Sequence, residues 1–346
     1  MNVERMKLDT THPTREQLQE AYRLALEVWN DAPWERMDER QVLAVRFADG
    51  REGFLSVMGE MGTHRAIALY SSFADYVRVR SIDDSDVYDV EDAFFSSHQL
   101  QLAFEASANL NKGEMADIRA SGLKFKRGMN PSFVSYVPGF APDRMGAGEL
   151  ARFLDFAKAF RAFCEQHGSD AIATNDAPMK LVTIWREDAS GIWTKGEDDF
   201  SILLPVVVSL DEALVEKVAA LPVSENTMCM EVGAFAVPVG RTPEGRGKMS
   251  RCVLIVEGVT QFTMGVNIFA TPDDRETDWT PVVEFVLKTM LQFGKRPTHL
   301  AAFGSSLHGI LQGLTKTRFK GTEFMPYNPC DAAHEAFRFV SDRMFR

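Results

Sequence analysis

The chain has 346 residues, which is too long for one ordinary hydrophobic core and about right for two domains of roughly 150 residues each. Its composition, 45% hydrophobic and 25% charged, is typical of a globular protein and excludes a disordered or fibrous class. The formal charge of -11 disfavours non-specific binding to nucleic acid and to anionic membrane surfaces.

The first half of the chain predicts helices alternating with strands. Apolar residues at helical spacing indicate a first helix over residues 15–30, with Thr14 as its N-cap and Pro33 after its end. Three β-type runs with glycine turns between them predict an antiparallel meander, formed by QVLAVRF, GFLSVMG and HRAIALY. The later elements are a helix over 72–79, the strand HQLQLAFEA, a helix ending at Gly122, the strand PSFVSYVPG and a helix over 148–167.

The second half of the chain begins with a polar linker and a hairpin within residues 169–208, which turns at 188–191. The order of the first half then recurs. Its elements are a helix over 210–221, the strands TMCMEVGAFAVPV, RCVLIVEG and QFTMGVNIFA, a helix over 278–293, the strand THLAAFG, a helix over 305–314, the strand GTEFMP and a helix over 331–344.

The two halves therefore predict an α+β protein of two tandem lobes, at residues 1–168 and 209–346. Each lobe has the order βββαβαβα and a mixed sheet, and faint local likeness, as between SYVPGFAPD and EFMPYNPCD, indicates a duplication. The prolines in these two segments predict rigid entries to the last helix of each lobe. Asp143 and Asp331 are placed to stabilise the starts of those helices, and we do not expect ligand sites there.

The cysteines and the apolar runs indicate the cellular compartment of the protein. The four cysteines are far apart and contain no C-x-x-C pair, which indicates reduced and mostly buried thiols. No apolar run reaches the ~18 residues that span a bilayer, and the polar N-terminus lacks the apolar core of a signal peptide. We therefore expect a cytoplasmic protein that does not bind membranes.

Six motifs carry a family resemblance. APWERM, GFLSVMGEMGTHRAIALY, GLKFKRG and FVSYVPGFAP lie within residues 21–163, and KRPTHLAAFGSSLHGILQGL and FMPYNPCDAAHEAFRFV lie within 252–345. In these segments the chain resembles an uncharacterised bacterial family of paired domains of unknown function, which implies an architecture without an activity. The order βββαβαβα is also similar to that of ribonuclease-H-like domains, which include nucleases and inactive relatives.

The positions of the carboxylates test the hypothesis that the chain is a nuclease. Nucleases of that fold hold two metal ions with three or four carboxylates, from the first strand, the first crossover helix, the end of the fourth strand and the last helix. In the C-terminal lobe Glu231, Glu284 and either Asp331 or Glu335 fill three of these positions. The fourth strand ends AAFGSS, without an acid, and the first strand of the N-terminal lobe has no carboxylate. Neither lobe has a complete set.

Other catalytic patterns are incomplete as well. Ser305 and Ser306 lie near His308, but no G-x-S-x-G elbow precedes them, so a helix cap is the simpler interpretation. The histidines include no H-x-x-x-H pair, and no metal site is predicted from them. Two tryptophan pairs, in VWNDAPWERM and IWREDASGIW, leave two alternatives open, which are core packing and a recognition surface.

The loop GRTPEGRGKMS lacks the spacing of a phosphate-binding loop and joins two strands of a meander. Its charges give the second lobe a small basic patch, and a possible interaction surface is formed by Arg241, Arg246, Lys248 and Arg251. The sequence thus favours a non-enzymatic binding or interaction module without a cofactor, and a protein partner over nucleic acid. The alternative is a divalent-metal-dependent nuclease or phosphoesterase with a ribonuclease-H-like carboxylate site.

Overall fold

A computed structural model describes residues 8–59, 62, 64–80, 97–126, 129–174, 181–200, 208–270, 279–303, 305–326 and 328–344. The described residues divide into two compact units. Unit 1 comprises those up to residue 80, 97–137 and 142–200, and unit 2 comprises 138–141 and 208–344. Each unit contains one mixed sheet with helices, which confirms the predicted α+β class. No helix of the described ranges is both long and apolar enough to cross a membrane.

Unit 1 has four helices and eight strands in its described part. The helices are α1 (Arg15–Asp31), α2 (Phe73–Arg80), α3 (Lys112–Ser121) and α4 (Ala147–His167). The strands are β1 (Val42–Arg46), β2 (Glu52–Met58), β3 (Ala66–Tyr70), β4 (Gln99–Glu105), β5 (Asn130–Tyr136), β6 (Asp143–Arg144), β7 (Leu181–Glu187) and β8 (Trp193–Asp199). Their order in the sheet is β6-β5-β4-β3-β2-β1-β7-β8.

The sheet of unit 1 is an antiparallel meander from β1 to β6, which confirms the meander predicted for the first three strands. β7 pairs with β1 in parallel, and β8 pairs with β7 antiparallel. The hairpin predicted between the lobes is therefore present, and it joins this sheet beside β1. One face of the sheet packs against α1 and α4, and the other packs against α2.

The start of α4 is stabilised by a carboxylate from the N-terminal segment. Asp9 accepts hydrogen bonds from the backbone N–H groups of Gly148 and Glu149, the latter at 3.1 Å. Asp143, which the sequence assigns to this role, lies in β6, where its Oδ1 accepts from the N–H of Arg144. The sequence assignment is wrong because two further residues separate β6 from the helix.

Replacing Asp9 with Ala should lower the free energy of unfolding of unit 1 by about 1 kcal/mol near neutral pH, the usual loss for a helix cap. Burial opposes ionisation of Asp9, but hydrogen bonds from Thr11, Glu149 and Gly148 lower its pKa overall. Because the folded pKa lies below the unfolded value, this stabilisation is present above about pH 4 and is lost as the pH falls through the folded pKa. Urea unfolding at several pH values measures the difference between wild type and Asp9→Ala.

The matched control for Asp9 is Asp143→Ala, which should change the free energy of unfolding by less than about 0.5 kcal/mol at every pH. A larger loss for Asp143→Ala than for Asp9→Ala would return the capping role to Asp143.

Unit 2 has four helices and five strands in its described part. The helices are α5 (Glu212–Ala219), α6 (Thr280–Phe293), α7 (Ser305–Thr317) and α8 (Asp331–Met344). The strands are β9 (Cys229–Arg241), β10 (Gly247–Glu257), β11 (Thr263–Ala270), β12 (His299–Phe303) and β13 (Glu323–Phe324). Their order is β11-β10-β9-β12-β13, with the first three antiparallel and β12 and β13 parallel to β9.

The strand orders of the two units differ, so the prediction that both halves repeat one sheet is wrong. In unit 1 the fourth strand, β4, returns beside β3 and continues the meander. In unit 2 the fourth strand, β12, crosses over through α6 and pairs in parallel with β9. A helix between two strands permits either return, and the element order alone does not distinguish them.

The sheet of unit 2 is covered on both faces. On one face, α5, α6 and α7 pack on Met230 and Val232 of β9 and on Val253 and Ile255 of β10. On the other face, which we call the α8 face, α8 packs on Phe235 and on the alternate residues of β10 and β12. Side chains of one strand alternate between the two faces. This alternation decides which carboxylates of unit 2 can meet.

Candidate functional site

The first turn of α8 begins against the side chain of Glu231. Because Met230 and Val232 point to α6, strand alternation turns Glu231 to the α8 face. There its Oε2 accepts a hydrogen bond from the backbone N–H of Ala333 at 3.2 Å, and the residue is 6% exposed. Glu231 therefore satisfies a free N–H group at the start of α8.

The surroundings of Glu231 are tight and partly apolar. Burial raises its pKa, the backbone N–H groups of α8 oppose this, and the negative charge of Asp331 adds to it. On the other side lies Gly258, where an added Cβ would be 2.8 Å from Oε1 of Glu231. The carboxylate is thus held between the end of β10 and the start of α8.

The other predicted carboxylates do not join Glu231 in one cluster. Glu284 lies on α6, across the sheet from the α8 face, and pairs with Lys288 Nζ at 2.7 Å. Glu335 is exposed and accepts a hydrogen bond from Gln261 Nε2 at 2.8 Å. Among the described residues, no group of three or more His, Cys, Asp or Glu side chains is placed to hold a metal ion.

Asp331 is the first residue of α8 and is exposed. The sequence assigns to it the stabilisation of this helix start. The side-chain acceptor that the structure provides for Ala333 is instead Glu231, a residue 102 positions earlier in the chain. Asp331 keeps a favourable place near the positive end of the helix dipole.

A cluster of sulfur atoms beside Glu231 was missed by the sequence analysis. Cys229 Sγ lies 3.9 Å from Met325 Sδ, although the two residues are 96 positions apart in the chain. The amide Nδ2 of Asn328 is 3.8 Å from Cys229 Sγ and 4.0 Å from Met325 Sδ. The sequence signal was present in TMCME and EFMPYNPC, but only the pairing of β9 and β13 with β12 brings the two segments together.

The two thiols of this region are in surroundings that favour the protonated form. Burial raises the pKa of Cys229 to about 11, and the carboxylates of Glu231 and Glu257 act in the same direction. Burial also raises the pKa of Cys330, which is fully buried. Cys330 has a left-handed backbone with φ 53°, and its N–H donates to Asn328 Oδ1 at 2.7 Å. This bond shapes the turn that enters α8.

An aromatic stack lies next to the start of α8. The ring of Phe235 stacks on Phe337 with centroids 4.2 Å apart and on Phe303 with centroids 5.6 Å apart. The imidazole of His334 meets Phe235 and Phe303 edge-on. A Cβ added to Gly233 would lie 2.4 Å from the Phe235 ring, so the absence of a side chain at this position admits the ring.

The four basic residues of the β9–β10 hairpin are placed differently from one another. Arg241 and Lys248 are exposed, and Arg241 Nη1 donates to the carbonyl of Gly245 at 2.8 Å. Arg246 is 6% exposed and donates to the carbonyl of Ala141 at 3.1 Å. Arg251 is 8% exposed and lies over the ring of Trp279 at 4.4 Å. An interaction at this hairpin stays a prediction that rests on its two exposed residues, Arg241 and Lys248.

The serine, histidine and tryptophan patterns contribute no catalytic geometry in the described part. His308 lies on α7 against the ring of Phe324, and burial lowers its pKa. The side chains at positions 305 and 306 lie outside the described residues. Both tryptophan pairs pack in the core of unit 1, with ring centroids 5.5 Å apart in each pair, which favours the core-packing alternative.

Comparison with known families adds one match. Residues 19–177 are similar to a domain of unknown function, DUF7309. The match covers somewhat less than half of the chain, and it agrees with the predicted resemblance of the first half to an uncharacterised domain. No curated protein matches the chain. Neither comparison assigns a function to the chain.

Proposed function

We propose that the chain is a non-enzymatic interaction module, and that strand β11 of unit 2 pairs with β11 of a second copy. The observation that supports the proposal is that β11 is an uncharged edge strand with exposed apolar side chains. Within the described residues β11 pairs only with β10, so it is the edge strand of the described sheet. An open strand edge is a ready template for another chain.

The β11 edge carries no charged side chain, and one of its N–H groups, that of Ile268, donates to Asn267 Oδ1 at 2.9 Å. Residues 263–270 contain no charged side chain, whereas the edge strand β8 of unit 1 carries Lys195, Glu197, Asp198 and Asp199. Charges on an edge strand oppose unwanted pairing. Of the seven exposed large apolar side chains among the described residues, four lie within 259–268. They are Val259, Phe262, Val266 and Ile268.

A second copy supplies a complementary strand. Val266 and Ile268 are in register with Leu254 and Cys252, so they lie on the α8 face, and they are 53% and 40% exposed. In an antiparallel pair with Asn267 on the two-fold axis, Val266 of each copy lies opposite Ile268 of the other. Apolar cross-strand pairs of this kind stabilise sheets, and no like charges meet.

Sedimentation velocity over about 1–100 µM should show a reversible dimer, the affinity range of a small interface. Val266→Lys should weaken dimerisation at least tenfold, because it places two ammonium groups on the shared face. Val239→Lys is the matched control, since Val239 is also exposed but lies on β9, and it should leave the dimer unchanged. A monomer at all concentrations, or a dimer insensitive to Val266→Lys, would reject the proposal.

A ribonuclease-H-like architecture remains a proposal for unit 2, supported by the order βββαβαβα from β9 to α8. The alternative function, a divalent-metal nuclease or phosphoesterase, has less support, because Glu284 and Glu231 face opposite sides of the sheet. Cleavage of nucleic acid with Mg²⁺ or Mn²⁺ that is lost in Glu231→Gln would establish it. Lobe boundaries at 1–168 and 209–346 are also proposed, with the hairpin of β7 and β8 added to the sheet of the first lobe. A bacterial cytoplasmic location is proposed as well, and the four free cysteines support it.

A further inference from the structure

We propose that Cys229 and Met325 form a binding site for a soft monovalent metal ion, with Cu(I) as its natural class of occupant. The two sulfurs come from β9 and from the residue after β13, and β12 lies between those strands. Met325 belongs to EFMPYNPCD, a segment in which the sequence predicts no ligand site, so the proposal reverses that expectation. On β12, His299 is in register with Cys229, and the small Ala301 is in register with Glu231.

The distance between the sulfurs suits one shared ion. Cys229 Sγ and Met325 Sδ are 3.9 Å apart. With metal–sulfur distances of about 2.3 Å, as in zinc thiolates, two sulfurs at this separation subtend an angle of about 115° at the ion. This is close to the angle of a three-coordinate centre. No movement of the strands is needed to accommodate the ion.

The position of the ion is marked by the Asn328 amide. Its Nδ2 lies within 4.0 Å of both sulfurs, so the N–H groups point at the place where the sulfur lone pairs converge. An amide N–H carries a partial positive charge, and here it stands where a cation would lie. Rotation of the Asn328 side chain, which breaks its hydrogen bond with the N–H of Cys330, would open this position to an ion.

The chemistry of the donors selects the class of metal. A thiolate and a thioether are soft ligands that favour Cu(I), whereas Mg²⁺ and Ca²⁺ require oxygen ligands. The nearby carboxylates of Glu231 and Glu257 make the region favourable to a cation. Both Cys229 and Met325 are partly exposed, so an ion can reach them from solution. Binding would displace the thiol proton of Cys229, so one proton is released for each ion bound.

Anaerobic competition with bicinchoninate, a chromophoric Cu(I) chelator, tests the site on the reduced full-length protein. Wild type should hold one Cu(I) per chain. Cys229→Ser should lower the affinity at least 100-fold, because it removes the charged ligand, and Met325→Leu should lower it at least tenfold at nearly constant side-chain volume. Circular dichroism of each variant verifies that it is folded.

The matched control is Cys164→Ser, which removes a partly buried thiol of unit 1 whose pKa burial also raises to about 11. It should bind Cu(I) like wild type. Unchanged affinity in folded Cys229→Ser, or an equal loss in Cys164→Ser, would show that the ion binds elsewhere and would overturn the proposal. Cys229→Ser, Met325→Leu and Cys164→Ser should all still dimerise, so loss of Cu(I) binding can be distinguished from loss of the β11 interface.

Discussion

Replacing Gly233 with Ala should lower the free energy of unfolding of unit 2 by about 2–3 kcal/mol, the cost of overpacking a core. The new Cβ would lie 2.4 Å and 2.6 Å from two atoms of the Phe235 ring and 3.2 Å from the Cβ of Ala333. The ring cannot turn away freely, because it is 4% exposed and stacked on Phe337 and Phe303. Either the aromatic stack of Phe235 is disrupted or α8 moves away from the sheet.

Thermal and urea unfolding of the full chain measure this loss, and hydrogen exchange of β9 and α8 localises it to unit 2. The matched control is Gly309→Ala on α7, where an added Cβ meets no atom within 4 Å. It should be neutral or stabilise the helix by up to about 1 kcal/mol. In a Phe235→Leu background, Gly233→Ala should cost much less. An equal cost in both backgrounds would show that the Phe235 ring is not what Gly233 accommodates.

Replacing Glu231 with Ala should cost about 2–3 kcal/mol of the stability of unit 2. The variant loses the side-chain acceptor of the Ala333 N–H and leaves this buried donor without its carboxylate partner. It also removes the side chain that fills the space between Gly258 and α8. Hydrogen exchange should be fastest at the first turn of α8. Urea unfolding gives the loss in free energy.

Asp331→Ala is the control for Glu231→Ala, because both residues are acids near the same helix start. Asp331 is exposed, so its replacement should cost no more than the 0.3–1 kcal/mol of a surface charge near a helix end, about 0.5 kcal/mol here. If Asp331→Ala proved as costly as Glu231→Ala, the local cap inferred from the sequence would be restored.

Most helices and strands and the fold class could be predicted from the sequence, because the residue patterns that indicate them are local. Periodicity located the first helix, and its capping box at Thr14 and Gln17 is present. Glycine turns located the meander of β1 to β3. These features depend on residues within a few positions of each other, so each can be inferred from a short window.

The remaining features depend on residues that are distant in the chain. Asp9 acts on a helix start 139 residues later, and Cys229 meets Met325 across a third strand. Local rules instead selected Asp143 and Asp331, the nearest acids, for capping. Likewise, the return of β4 as a meander and of β12 as a crossover is set by packing of whole layers. No short segment of the sequence indicates which strand β4 or β12 pairs with.

The dependence of α8 on Glu231 has a consequence for how the chain folds. The first turn of this helix gains its acceptor only after a loop of about one hundred residues has closed, and closing such a loop costs conformational entropy before any contact repays it. The C-terminal segment is therefore expected to fray at its start in isolation and to become ordered late, once β9 is in place. Because β9 precedes α8 in the chain, synthesis makes the strand that carries Glu231 before the helix whose first turn it caps.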